Sequence, residues 1–233
     1  GEPGNDFSEF WIRGISTFGV NSSALVLIDG VEGNINDIDP ADIESFSVLK
    51  DASATAIYGV KGANGVVIIT TKSGKAGKLH INFKTNLIMS ESARMPNYCD
   101  AYTYASLANE ARADRNESAL YTPTELELFK TNLDPDLYPN VNWRDVILKK
   151  HVWQNQHFLS VLGGGTNARY YMSLSVLNKD AVFKQDKSAN KYDTNVSYHK
   201  YSFLTKIDAN LTKTTTLGLK LNQVIVGQNS PGY

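Results

Sequence analysis

The sequence predicts an α+β unit followed by a series of long antiparallel β-strands. Three observations carry that fold class. Residues 11–75 mix short apolar runs with capped turns and glycines. From Leu79 onward, apolar and polar residues alternate with period two, which sends them to opposite faces of a strand. The links between these alternating runs are long and short in turn.

The elements follow in order. Ala24 to Ile28 reads as a short strand stopped by Asp29-Gly30, a turn pair. Asp39-Pro40 opens a short helix, with Asp39 as cap, Pro40 at the first position and Asp42 in the first turn. Asp37, Asp39 and Asp42 lack the glycine and terminal glutamate of a calcium loop, so capping is the better reading. Phe46 to Leu49 is a second strand. Asp51 caps a slim helix over Ala52 to Tyr58, which Gly59 ends in a left-handed conformation. Asn64-Gly65 is a strong turn signal. Val66 to Thr71 then runs without alternation, as a strand covered on both faces does. The glycines read GxxGxxG with no GK[ST] after them, which argues against a phosphate loop.

The alternating runs come next. Leu79, Ile81, Phe83, Leu87 and Met89 share one face, opposite His80, Asn82, Lys84 and Asn86. A weaker run covers Gln156 to Leu162. Met172, Leu174 and Val176 oppose Ser173 and Ser175; Tyr201, Phe203 and Ile207 oppose Ser202, Lys206 and Asp208; Leu217, Leu219 and Leu221 oppose Gly218, Lys220 and Asn222. Strands of about nine to eleven residues are expected, enough to cross a bilayer when tilted. A soluble β-sandwich with one wet face fits the same alternation. The links favour a barrel. A long link to about Gln154, a tight Gly163-Gly164-Gly165-Thr166-Asn167, a long link to Tyr198 and a tight Thr212-Lys213-Thr214 follow one another strictly. Outer-membrane barrels alternate long outer loops with short inner turns in this way.

The first long link has helices of its own. Asp100 to Ala113 has helical spacing with Tyr104, Leu107, Ala108 and Ala111 on one side. Thr122-Pro123-Thr124-Glu125 is a capping box opening a helix to about Lys130. Trp11, Trp143, Trp153 and the pair Tyr170-Tyr171 are candidate membrane-interface aromatics, and packing residues otherwise.

Composition excludes several functions. The chain has 233 residues and 42% hydrophobic content, enough for one or two packed units. With 23 Lys+Arg against 24 Asp+Glu there is no electrostatic case for nucleic acid. No apolar run approaches the roughly 18 residues of a spanning helix. GEPGNDFSEF has no basic region followed by an apolar stretch, so it is not expected to be a signal peptide. Cys99 is the single cysteine, which rules out an intrachain disulfide and CxxC metal sites. The four histidines have no ligand spacing, and neither metal nor cofactor is expected. Ser53 with His80 or Asp51 is a poor hydrolase set, because Ser53 lacks a GxSxG elbow. No enzymatic activity is expected.

One stretch goes further. DIESFSVLKDASATAIYGVKGANGVVIITTK, residues 42–72, closely resembles the signature region of SusC/RagA-type TonB-linked outer-membrane proteins. Ile12-Arg13-Gly14 and Leu27-Ile28-Asp29-Gly30 resemble pieces of that family's plug. Asn142-Trp143-Arg144-Asp145, Leu159-Ser160-Val161 with Gly163-Gly164, and Arg169-Tyr170 resemble its first barrel hairpin and the segment before it. The resemblance implies a partial plug domain over residues 1–75. It implies the first strands of an incomplete transmembrane β-barrel over 76–233, with a helical extracellular loop at about 90–153. Such barrels have about twenty-two strands, so the chain is expected to be a fragment.

The resemblance also implies function. The expected role is import of glycans or oligopeptides across the bacterial outer membrane. The expected partners are TonB, acting through a segment not found here, a SusD-like surface lipoprotein, outer-membrane lipid and the cargo. The plug signature, structural or gating, comprises Arg13, Gly14, Asp29, Gly30, Glu44, Lys50, Asp51, Gly59, Gly62, Asn64 and Gly65. The resemblance implies that Arg13 and Lys50 are structural or gating cations, since in related plugs such residues face barrel-wall carboxylates, on strands expected to lie outside this chain; a solvated charge on a plug strand is the alternative. A soluble glycan-binding or adhesin-type β module is the alternative, but the twelve tyrosines are scattered, clustering only at Tyr98, Tyr102 and Tyr104. A passive porin would lack such a plug.

Overall fold

The computed structural model describes residues 23–50, 56–91, 94–184 and 196–229. The chain divides into two units. One holds residues 1–88, 153–181 and 196–233, and the other holds 89–152 and 182–195.

The first unit begins with a mixed four-stranded sheet. Its strands are β1 (Leu25–Ile28), β2 (Val31–Glu32), β3 (Ile43–Leu49) and β4 (Val66–Thr71), in the order β2-β1-β4-β3. Asp29 (φ 51°) and Gly30 (φ 88°) make the two-residue β1–β2 turn. Both have positive φ, as a type I′ turn requires. β4 runs parallel to β1 and antiparallel to β3, so it is the inner strand. Val66, Val67, Ile69 and Thr71 are completely buried, which explains the run without alternation. Ala24, Val67 and Ile69 form the core, with Val26, Ile28, Ile35 and Ile43 packed on it.

The short helices here are 3₁₀ turns. Pro40–Asp42 is capped by Asp39, whose Oδ1 accepts the Ala41 N–H at 2.9 Å. The expected helix at 52–58 is only partly within the described residues. From Ala56 to Gly62 the chain is a kinked 3₁₀ segment, and Gly59 sits at φ 60°, ψ −147°. That is a correction: φ is positive as expected, but ψ lies outside the left-handed helical region. Only glycine adopts such a pair readily.

The second sheet of this unit contains β5 (Gly77–Glu91), β6 (His151–Gly164), β7 (Ala168–Asp180), β8 (Ser197–Asn210) and β9 (Thr216–Asn229), paired in sequence order. The strands have 15, 14, 13, 14 and 14 residues, longer than the nine to eleven expected. Backbone ladders continue past the ends of side-chain alternation, because pairing needs only N–H and C=O groups.

This sheet is inverted relative to a soluble one. Ser160, Ser173, Ser175, Ser202 and Lys206 are buried, while Leu159, Met172, Leu174, Tyr201 and Phe203 are exposed. Register explains the grouping. Phe158, Ser175 and Ser202 lie in one row; Leu162, Tyr171 and Lys206 in another; Gln156, Leu177 and Lys200 in a third. Leu159, Leu174 and Phe203 form a row of the opposite face.

The second unit is helical. It contains α1 (Ala101–Ala113), α2 (Pro123–Thr131) and α3 (Trp143–Ile147). Asp100 caps α1, and Thr122 with Glu125 forms the reciprocal capping box of α2. These cap hydrogen bonds hold both carboxyls, on Asp100 and Glu125, below the ordinary carboxylate range. The inward face of α1 is not the expected one. Ala105 is buried, whereas Tyr104 and Leu107 are exposed. Asn109 decides the rotation: its side chain bonds the backbone of Leu120 and Tyr121, which binds the Ala105–Asn109 side of the helix to the chain entering α2. Tyr121, Phe129 and Tyr138 stack edge to face beneath it.

Candidate functional site

The mixed sheet and the long-strand sheet meet along a seam of buried polar groups. The turn after β1 supplies Asp29. Its Oδ1 accepts the Thr71 N–H at 2.9 Å, and its Oδ2 accepts the Thr71 hydroxyl at 2.7 Å. Lys206 of β8 reaches the same Oδ2 at 2.8 Å and donates to the Thr71 carbonyl, also at 2.8 Å. The two charged side chains are 4% and 10% exposed. A buried ion pair survives only when further hydrogen bonds satisfy it, and here Thr71 supplies them on both sides.

Two more aspartates of the mixed sheet face the long strands. Asp39 Oδ2 accepts from Ser175 Oγ and, at 2.9 Å, from Gln156 Nε2. Asp42 Oδ1 accepts the Tyr171 hydroxyl at 2.7 Å. Lys200 donates to the Asn36 carbonyl. Thus β6, β7 and β8 each contribute donors, and the residues around two 3₁₀ turns, Ile35–Asp37 and Pro40–Asp42, and one hairpin contribute acceptors.

The carboxyls differ in proton affinity. Burial works to raise Asp29, but the hydrogen bonds from Lys206 and Thr71 outweigh it and hold the carboxyl below its ordinary value. Burial raises Asp42; bonds from Ser173 and Tyr171 oppose it only in part, and the charge of Asp39 adds to the rise. Asp29 is therefore held as the anion, and Asp42 holds a proton more readily than an ordinary carboxyl.

Backbone also touches backbone here. A Cβ added to Gly74 would lie 2.3 Å from the Tyr170 amide nitrogen. Only a glycine permits this approach between the linker after β4 and strand β7.

The sequence-singled residues fall as follows. Arg13, Gly14, Asp51, Ser53 and Trp11 lie outside the described residues. Asp29 is in the seam, with Gly30 completing its turn. Glu44 is exposed on β3, 3.5 Å from Lys75. Lys50 is exposed at the end of β3. Gly62 and Gly65 are buried around Asn64, and Gly65 has φ 99°. The seam residues Asp39 and Asp42 were legible only as the cap and the first-turn acid of a short helix. Gln156, Tyr171, Ser175, Lys200 and Lys206 were not singled out as site residues. Tyr171 corrects the interface-aromatic expectation: it is completely buried, with its hydroxyl on Asp42. Trp143 and Trp153 are exposed. One signal was available. The covered face of β6, β7 and β8 includes the small Ser160, Ser173, Ser175 and Ser202, and small hydroxyls suit a polar face that is covered.

Known proteins share this arrangement. The family model described as TonB-dependent Receptor Plug Domain matches residues 1–66. A TonB-dependent receptor of Formosa agariphila is 34% identical over 230 residues, 95% of this chain and 20% of that receptor. The TonB-dependent receptor SusC of Bacteroides thetaiotaomicron is 32% identical over 195 residues, 79% of this chain and 18% of SusC. This chain belongs to the SusC-type TonB-dependent receptors. It spans about a fifth of the length of the curated relatives it matches. A structure of the RagAB peptide importer in its open-open state matches with a TM-score of 0.75 at 24% identity, covering 95% of this chain and 26% of that one. At that identity the likeness shows the fold. In this receptor the mixed sheet is the plug, the long-strand sheet is the wall, and the seam is the plug–wall contact. At this seam the plug offers the carboxylate Asp29 and the wall offers the cation Lys206.

Proposed function

We propose that this chain forms the plug and first wall strands of an outer-membrane importer, and that the seam latches the plug in place. The observation that carries the reading is the inverted sheet. Its polar face closes on the plug, and its apolar face is left outward, where lipid would meet it. A 14-residue strand is about 46 Å long at about 3.3 Å per residue, so tilted by about 45° it rises about 33 Å, the thickness of a bilayer core. The family kinship supports a cycle in which TonB, powered from the inner membrane, loosens part of the plug. A SusD-like lipoprotein delivers a glycan or oligopeptide cargo. The helical unit, inserted between β5 and β6, is the first long outer loop. The residues described supply packing and electrostatics to this role, and no nucleophile or general acid is assigned.

The test is made in cells carrying the receptor that contains this chain. The receptor is expected in the outer-membrane fraction, and uptake of labelled cargo is expected to stop when the proton gradient is dissipated. Lys206→Ala, which loosens the latch, is expected to raise sensitivity to large antibiotics such as vancomycin. A receptor found in the soluble fraction, binding glycan with no gradient-dependent uptake, would instead establish the adhesin-type reading.

A further inference from the structure

We propose that the helical unit holds a binding site for an anionic amphiphile, a phosphate-bearing lipid headgroup with its acyl chain. Two cavities of about 580 and 680 Å³ open side by side in this unit, and Met95, Arg144 and Leu148 line both. Their sizes fall in the usual ligand range. Their chemistries differ. The first cavity is basic, lined by Arg144, Lys149, Lys150 and Lys184 against the two carboxylates Glu91 and Asp145. The second is more apolar, lined by Tyr98, Val141, Trp143 and Ile147, with Asp100, Asn140 and Asn142 as its further polar residues besides Arg144.

Backbone pairing builds the basic end. Lys149 N–H donates to the Val182 carbonyl and Lys184 N–H to the Ile147 carbonyl, each at 2.7 Å, on either side of a Leu148–Phe183 bridge. Lysines distant in sequence are thereby set next to each other. The carboxylates have partners within the unit. Asp145 accepts from Asn142 at 2.6 Å and lies 3.7 Å from Arg144, its carbonyl accepts from Lys184, and Glu91 lies 3.5 Å from His151. Four cations and two carboxylates line the cavity, and this excess of positive charge favours an anion. Trp143 and Tyr98 are 63% and 81% exposed, a large apolar surface to leave beside a cation cluster. A bare phosphate would use only the basic end, and a neutral chain only the apolar end. A lipid with a phosphate headgroup uses both, as basic pockets beside apolar surface do in other membrane proteins.

The inference is independent of the transport reading, and its test measures no transport. The receptor containing this chain, purified in a neutral detergent, is titrated with dilauroyl phosphatidylglycerol and followed by native mass spectrometry. Parallel titrations use dilauroyl phosphatidylcholine and inorganic phosphate. Retention of phosphatidylglycerol over phosphatidylcholine is expected. Lys149→Gln combined with Lys150→Gln is expected to weaken phosphatidylglycerol binding about tenfold, while Lys149→Arg with Lys150→Arg keeps it. Trp143→Ala is expected to weaken it as well, through the chain. Circular dichroism melting checks that each variant is folded, and the arginine pair separates loss of charge from loss of fold. Equal binding of the two lipids, full binding by the folded glutamine variant, or equally strong binding of inorganic phosphate alone would each overturn the proposal.

Discussion

At the scale of single residues, Lys206 is the wall's most consequential side chain. Removing one partner of a buried, hydrogen-bonded pair leaves the other charge uncompensated and costs about 3 to 5 kcal/mol. Lys206→Ala is therefore expected to lower the unfolding free energy of the plug by that amount, read as a fall in the denaturant midpoint by tryptophan fluorescence in detergent. Asp29→Asn in the Lys206→Ala background is expected to restore part of the loss, since a neutral amide needs no counter-charge. Additive losses in that double-mutant cycle would show that the two groups do not act as a pair. The neighbouring Thr205 makes an opposite case. Its Oγ1 is buried without a hydrogen-bond partner among the described residues. Thr205→Val keeps the shape and removes the unsatisfied hydroxyl, so it is expected to be neutral or stabilising by about 1 kcal/mol. The same unfolding assay decides it.

At the scale of elements, α1 shows how a polar side chain overrides an apolar pattern. Tyr104 and Leu107 lie where helical spacing collects them, yet they are 60% and 54% exposed, and Ala105 is 1% exposed. Asn109 satisfies three backbone groups near α2, and leaving those unpaired would cost more than a tyrosine ring exposed to water. Tyr104→Lys is accordingly expected to change stability by less than about 0.5 kcal/mol. Ala105→Leu overpacks the α1–α2 contact and is expected to cost about 1 to 3 kcal/mol. Thermal melts of the two variants check the ranking, and the reverse order would restore the face read from the sequence.

At the scale of the whole molecule, the seam couples stability to pH with two limbs of opposite sign. Asp42 titrates above its ordinary value of 3.8 in the folded state. The folded seam then holds a proton that the unfolded chain lacks, so stability rises as pH falls toward 3.8 through that raised value. Asp29 titrates below 3.8, so its contribution is complete above 3.8 and is lost as pH falls below it. Denaturant midpoints measured against pH are expected to show a maximum in the acid range. Asp42→Asn is expected to flatten the upper limb, and Asp29→Asn the lower one. A profile unchanged by either substitution would remove the seam from the account. The outward apolar face acts at the same scale. Leu79, Ile81, Phe83, Leu217 and Leu219 are each 55% to 66% exposed. At about 25 cal/mol per Å² their burial is worth several kcal/mol per strand, which makes detergent or lipid a condition of dispersal.

The sequence by itself determined what local chemistry controls. Asp29-Gly30 dictates a tight turn because both positions need positive φ. Val66 to Thr71 announces an inner strand because its run of β-formers does not alternate with polar residues. Period-two alternation and the alternation of long and short links specify five neighbouring strands, because side-chain direction and turn length are properties of adjacent residues. The capping boxes are legible for the same reason. Tertiary structure alone decided the site. Asp39 reads as a helix cap and Asp42 as an acid of the first turn, and both are so placed, but each carboxylate has a partner that only the opposing wall reveals. Lys206 is one lysine on a polar face until β8 pairs with β7 and packs on the hairpin after β1, more than a hundred residues away. Contacts at that separation leave no period in the sequence. Whether a polar face meets water or a plug depends on what is folded against it, and that is a property of the assembled chain.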